Sequence, residues 1–430
     1  MTTRTRTTFS VRQDRRLVRP NAHSQRYLLA SIAAPRAVVE RPRPPVNLAI
    51  VLDRSGSMSG DKLRVAKAAV AEAIARLGPD DRFSVVAYDD VVDVVIASTP
   101  AAGESRRAAL DQLRTIEARG STNLGEGWLR GCEQVAGHLA QTGVNRCLVL
   151  TDGLANIGIT DPGELAGHAA ELRARGVSTS TFGVGNDFDE GLLQALADAG
   201  GGHFYYIADA PQIADAITSE VGETLDIVAR GVSVEVTARD DIRIEPISPY
   251  RATVHGTRTA VAVGDLASDQ VVEVVLRLSF PYGDVGRDVG AIVSLTDRDG
   301  TFAPGGVAEA EQVRLTWSYA DDAANDRQVR DREVDRVVAR LFAARARQEA
   351  VGRNRGGDFI HARWALTATA ERIRSYAGDD PELHGLARAL ESDAPTFAAP
   401  MSEPSRKQAH YASANSLRSR DAQGRSVRRG

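Results

Sequence analysis

The chain has 430 residues, 43% of them hydrophobic, which is enough for two or three domains with cores of their own. Its formal net charge of -4 excludes a nucleic-acid binder held by bulk positive charge. No apolar run reaches the roughly 18 residues of a membrane helix, and Met1 to Arg26 lacks the apolar stretch of a signal peptide, so a cytoplasmic location is expected.

Residues 1–45 read as two strands and a connector. Phe9, Val11, Leu17 and Val18 mark one strand, and Tyr27 to Ile32 the next. Arg41-Pro42-Arg43-Pro44-Pro45 is a stiff linker. From 46 to 228, strands and helices alternate. Asn47 to Asp53 is an apolar run that ends in an acid, and Ser55 and Ser57 follow at alternate positions around Gly56. Leu63, Ala66, Val70, Ile74 and Leu77 then line one helical face. Phe83 to Tyr88 is a second strand, and Val91 to Ala97 an antiparallel edge strand made by a tight turn. Helices are expected at Arg106–Leu113 and Leu124–Leu139, a buried strand at Cys147–Thr151, then a helix at Leu165–Arg175, a strand at Val177–Val184, a helix at Leu192–Ala197, a strand at His203–Ile207 and a helix at Ile213–Val228. Cys132 and Cys147 read as reduced, buried thiols. Such alternation predicts an α/β domain, a doubly wound, mostly parallel Rossmann-like sheet.

Ligands in such sheets bind at the carboxyl ends of the strands. Asp53 and Asp152 lie there, and Gly120-Ser121-Thr122-Asn123 brings a third loop. A carboxylate beside alcohols suits Mg²⁺, Mn²⁺ or another hard cation rather than zinc. The competing reading is a set of helix caps and turns.

Asp53-x-Ser55-x-Ser57, then Thr122, then Asp152 resembles the metal-ion-dependent adhesion site of the von Willebrand factor type A family. Gly120 to Gly125, Val144-Asn145-Arg146 and Thr151 to Thr160 are similar to a bacterial branch labelled calcium-activated chloride channel-like, although no pore segment is present. Related architecture occurs in inter-alpha-trypsin inhibitor heavy chains. The resemblance implies binding rather than turnover. Asp53, Ser55, Ser57, Thr122 and Asp152 would hold Mg²⁺ (or Mn²⁺ or Ca²⁺), and a protein partner's Asp or Glu would complete the coordination beside Thr122 and Asp152. Two rival functions are a Mg²⁺-dependent phosphate hydrolase and an adaptor of a MoxR or chelatase-type ATPase. Against the hydrolase, the position two residues after Asp53 holds Ser55, not a second acid, and no Gly-Lys-Ser/Thr phosphate loop exists.

From 229 to 320, short alternating segments predict an antiparallel β-sandwich, which the strands of 1–45 would complete. Residues 326–394 read as C-terminal helices, with one long helix from Asp326 to Gln348 and a flexible turn at Gly352 to Gly357. Residues 395–430 are rich in arginine and poor in apolar residues, the pattern of a disordered basic tail.

Overall fold

The computed structural model describes residues 8–37, 43–239, 241–302 and 312–429; Thr7 and part of the 41–45 connector fall outside them. Three strands come first: β1 (Thr8–Gln13), β2 (Leu17–Val18) and β3 (Gln25–Ala33). The alternating stretch follows as β4 (Val46–Asp53), α1 (Asp61–Arg76), β5 (Arg82–Tyr88), β6 (Val92–Pro100), α2 (Gly103–Arg114), α3 (Leu124–Ala136), β7 (Val144–Thr151), α4 (Pro162–Ala174), β8 (Val177–Val184), α5 (Glu190–Gly200), β9 (Gly201–Ile207) and α6 (Gln212–Leu225). Then come β10 (Ile227–Ala238), β11 (Arg243–Pro246), β12 (Arg251–His255), β13 (Arg258–Ala267), β14 (Val271–Ser279), β15 (Asp288–Thr296) and β16 (Gln312–Tyr319). Helices α7 (Asp322–Arg327), α8 (Arg332–Arg355), α9 (Phe359–Ala377), α10 (Pro381–Phe397) and α11 (Glu403–Leu417) end the chain. Contacts divide it into two units: Val38–Ile227, and Met1–Ala37 together with Val228–Gly430.

In the first unit the sheet order is β6-β5-β4-β7-β8-β9, parallel except for the antiparallel edge strand β6. All of β4 is buried, because helices cover both of its faces. Leu48, Ile50 and Leu52 join a core with Val70 and Ile74 of α1 and Ile217 of α6. Ala49 and Val51 face α3, which approaches closely because it carries glycine at two contact points. A Cβ on Gly127 would collide with the Tyr88 ring, and one on Gly131 with Val51. Cys132 and Cys147 are free and buried there, and burial, with a hydrogen bond to Cys132, holds the Cys147 thiol well above its ordinary pKa.

The second unit holds a four-stranded sheet, β1-β3-β14-β11, against a six-stranded one, β12-β13-β10-β15-β16-β2. Strand β3 shows how its pattern arises. Leu28, Ala30 and Ile32 point into the sandwich, while Leu29 packs outward with Val334, Val338 and Leu341 of α8. A strand covered on both faces reads as a continuous apolar run.

Three expectations for the C-terminal part are corrected. The long helix from Asp326 is broken into α7 and α8, because Gln328 leaves the helix to accept a hydrogen bond from Leu17 N (2.8 Å) and Asp331 caps α8. Gly352, expected to open a turn, lies inside α8. Residues 395–430, expected to be disordered, are folded where described: α10 runs through Pro395 to Phe397, and Ser402 caps α11. Tyr411 and Leu417 are buried, and Leu417 joins Leu29 and Val275. The last residues run beside β14, where Val271 N donates to Val427 O (2.8 Å) and Glu273 N to Ser419 Oγ (3.1 Å). Backbone and side-chain hydrogen bonds, which composition does not register, hold this segment. Leu417→Ala should therefore destabilise the protein by about 2–4 kcal/mol. Urea melts check this; an unchanged midpoint would place α11 outside the cooperative fold.

Candidate metal centre

Asp53 ends β4 and is fully buried. Its Oδ1 accepts from Ser55 N (2.7 Å) and its Oδ2 from the Thr151 hydroxyl (2.6 Å). The first bond curls the chain into a short 3-10 turn, Gly56–Met58. Ser55 Oγ then lies 3.1 Å from Ser57 Oγ, which donates to Asp152 Oδ1 at 2.6 Å. A Cβ placed on Gly153 would lie 3.3 Å from Thr122 Oγ1 and 3.6 Å from Ser57 Oγ, so Thr122 reaches the same spot. All five residues named from the sequence thus gather at one edge of the sheet.

The capping alternative does not account for their hydroxyls. Helix α1 starts four residues after Ser57, behind Gly60, and Ser55 makes no side-chain cap bond. Helix α3 is capped by Asn123, whose side chain accepts from Glu126 N, and not by Thr122.

Four residues outside the motif shape the site. Thr151 braces Asp53 and also accepts from Gly153 N (3.2 Å). Asn156 exchanges hydrogen bonds with the Thr122 backbone: Thr122 N donates to Asn156 Oδ1 (3.1 Å) and Asn156 N to Thr122 O (3.2 Å). Lys62, in the first turn of α1, pairs with Asp152 Oδ2. Asp89 is buried and clamps two loops, accepting from Arg54 Nε (3.1 Å) and Arg119 Nε (2.6 Å). Burial opposes its charge, yet hydrogen bonds from Val91 N–H, Arg119 and Arg54 hold its pKa below the usual range. His203 lies 3.1 Å from Glu220 Oε2 in a separate network.

Burial pushes the Asp53 pKa up to about 6, against the hydrogen bonds from Thr151 and Ser55; the charge of Asp152 adds to the rise. The donor set consists of oxygens alone, and its carboxylates have few charged partners. It fits a hard divalent cation.

Residues 47–219 match the family model described as the von Willebrand factor type A domain. This segment is a von Willebrand factor type A domain. Domains of this family mediate protein interactions. A solved structure, a von Willebrand factor type A protein from Catenulispora acidiphila, covers 92% of this chain and 98% of its own at a TM-score of 0.70, with 18% identity, and so shares the fold. The chain is 32% identical to the uncharacterised protein YfbK of Escherichia coli (strain K12) over 196 residues, 45% of this chain and 34% of the relative. It is 27% identical to inter-alpha-trypsin inhibitor heavy chain H4 of Homo sapiens over 164 residues, 37% of this chain and 18% of that one. The match thus spans about a third or less of these relatives. Among the described residues, no helix is long and apolar enough to cross a membrane.

The buried Asp53 carboxyl implies a pH dependence for the metal-free protein. An unfolded Asp titrates near pH 3.9. Between that value and about 6, the folded chain binds more protons than the unfolded chain, so stability falls as pH rises through this window. The loss is on the order of 3 kcal/mol, at about 1.4 kcal/mol per pKa unit. In EDTA, Asp53→Asn should flatten this slope and raise stability near neutral pH. Urea melts across the window would show it, and a slope equal to wild type would mean that Asp53 titrates normally.

Proposed function

We propose that the chain is a divalent-metal-dependent protein-binding module, with the metal-ion-dependent adhesion site at Asp53, Ser55, Ser57, Thr122 and Asp152. The run of oxygens from Ser55 Oγ through Ser57 Oγ to Asp152 Oδ1, with no hydroxyl used as a cap, carries the reading. Mg²⁺ suits this set best, with Mn²⁺ or Ca²⁺ as other occupants. A bound ion would supply a positive charge that its ligands only partly offset. Asp53 shares its charge with Ser55 N–H and Thr151, and Asp152 shares its own with Lys62. The remainder attracts a carboxylate from a partner protein.

Thr122 and Asp152 belong to loops at this edge and are the residues we assign to partner binding. This chemistry is binding, and no residue beside the oxygens is assigned a catalytic role. The location we favour is a reducing compartment such as the cytoplasm, where adjacent Cys132 and Cys147 stay thiols. Fractionation of the host would check this, and recovery outside the cytoplasm would refute it.

Two variants test the site. Thr122→Ala should keep a near-wild-type melting temperature in EDTA yet lose Mg²⁺-dependent partner capture in pull-downs from host lysate. EDTA should have the same effect on the wild type. Capture that survives both treatments would place the partner elsewhere. Lys62→Met removes the cation on Asp152 and should tighten Mg²⁺ binding by roughly tenfold, the scale of a nearby charge. Calorimetry reads this directly. Weaker binding instead would mean that Lys62 positions Asp152 and does not compete with the ion.

A further inference from the structure

The sandwich leaves part of one strand edge open. Strand β16 pairs with β15 along one side, while on the other only Ser318 and Tyr319 pair, with β2. Among the described residues, no strand forms a backbone ladder with the outer side of Gln312–Trp317, although the end of β1 approaches it and Gln13 would have to release Thr316 O for a strand to pair there. Thr316 O accepts from Gln13 Nε2 (3.3 Å) and Ser318 N donates to Arg16 O (3.0 Å), which fixes the outward parity. In an antiparallel ladder, a residue's N–H and C=O point to the same side. Arg314 and Thr316 therefore turn their backbone groups outward, while Val313 and Leu315 pack against the core.

This edge opens onto a groove of about 980 Å³ between residues 11–17, 314–316 and 328–332. Its lining holds Arg12, Arg15, Arg16, Arg314, Arg330 and Arg332 against two acids, Asp14 and Asp331. The acids are already engaged: Arg15 pairs with Asp14, and Arg12 with Asp331 and Glu333. Arg16 and Arg314 are exposed and pair with no acid among the described residues. The whole chain is net negative, so the positive excess is local.

We propose that this groove receives an extended acidic segment of a partner protein, which adds a strand to the outer edge of β16 and sets its carboxylates against Arg16 and Arg314. Strand addition draws affinity from backbone hydrogen bonds and specificity from the flanking side chains. Charge on an exposed edge also discourages pairing with another copy of the same edge. A cationic edge thus repels its own kind and selects an acidic strand. The surface needs no metal and stands apart from the function proposed above.

The probe is a fluorescent peptide of about eight residues, the length of a long strand, alternating Glu and Val. Anisotropy is measured in EDTA, so that the metal site contributes nothing. The wild type should bind the peptide. Arg16→Glu/Arg314→Glu should weaken binding by about tenfold or more, as loss of close charge pairs does. Thr316→Pro removes one outward N–H while sparing the β15 ladder, a substitution an edge tolerates, and should weaken binding too. A peptide N-methylated at alternate residues should not bind. If Thr316→Pro misfolds, the N-methylated peptide and the charge-reversed variant still decide. Equal binding of the N-methylated peptide would overturn strand addition, and equal binding by the charge-reversed variant would overturn the acidic partner. A wild type that sediments as a dimer, with the charge-reversed variant monomeric, would give the groove to a second copy and overturn the proposal.

Discussion

Asp53 is a carboxylate fully shielded from the surface, placed at the end of a strand that is itself buried throughout. Burying a charge is unfavourable unless hydrogen bonds or a counter-charge satisfy it. Here the donors are neutral, the Ser55 N–H and the Thr151 hydroxyl, and each fixes a different loop. The Ser55 bond sets the turn that presents both serines. The Thr151 hydroxyl also holds Gly153 N, and so the loop that carries Asp152. The third loop is tied by backbone bonds, Gly56 N to Gly120 O (3.2 Å) and Asn123 N to Asp89 O (2.8 Å), and by the Asn156 and Asp89 side chains. At Gly120, φ is +67° and a Cβ would overlap the Asp90 carboxylate, so only glycine fits that close crossing. One buried carboxylate, a few hydrogen bonds and one glycine thus hold these oxygens together.

The parts of this site that were legible in the sequence are those encoded locally. Asp53, Ser55 and Ser57 are two residues apart after an apolar run, and that spacing alone proposes converging oxygens. Asp152 follows a buried strand, where ligands of such sheets gather. Thr122 was placed by its loop before the Leu124 helix, and its role as a ligand came from the order of the family pattern. Lys62 and Asn156 were not legible. Lys62 is 90 residues from Asp152 and, in the first turn of a helix, reads as a solvated side chain. Asn156 sits in a loop, and only the crossing of two loops brings it to Thr122.

The same division holds for the fold. Alternating strands and helices gave the α/β sheet, because each strand's period and each helix's apolar face are local properties. The C-terminal segment failed for the opposite reason. Its few apolar residues, Tyr411, Ala414 and Leu417, are buried on elements far away in sequence. Its arginines looked like charge in water, yet Arg406 pairs with Glu403 (2.7 Å) and Arg420 donates to Gly424 O. Composition counts charges but not their partners, so it undervalues a segment held by hydrogen bonds and a few distant apolar contacts.

The two ends of the central sheet differ in how far their buried carboxylates are already met by positive charge. Near the amino ends, the ligand atoms of His203, Glu220 and Glu223 lie within 4.8 Å of one another, close enough to suggest a metal. But Glu220 Oε1 already accepts from Arg146 Nη1 (2.5 Å) and Ser180 Oγ (2.6 Å), and Oε2 accepts from the Tyr205 hydroxyl (2.7 Å) beside His203 Nδ1. Its charge is met by a buried guanidinium, and breaking such a pair leaves an uncompensated charge that costs about 3–5 kcal/mol. An ion would have to displace partners that are themselves buried. At the carboxyl end, Asp53 has neutral donors and a raised pKa, and Asp152 has a lysine that is 31% exposed and can move into water. A dication entering there would relieve an ionisation that burial opposes, where at Glu220 it would break a pair already formed. The difference lies in which carboxylates the fold has left short of positive charge.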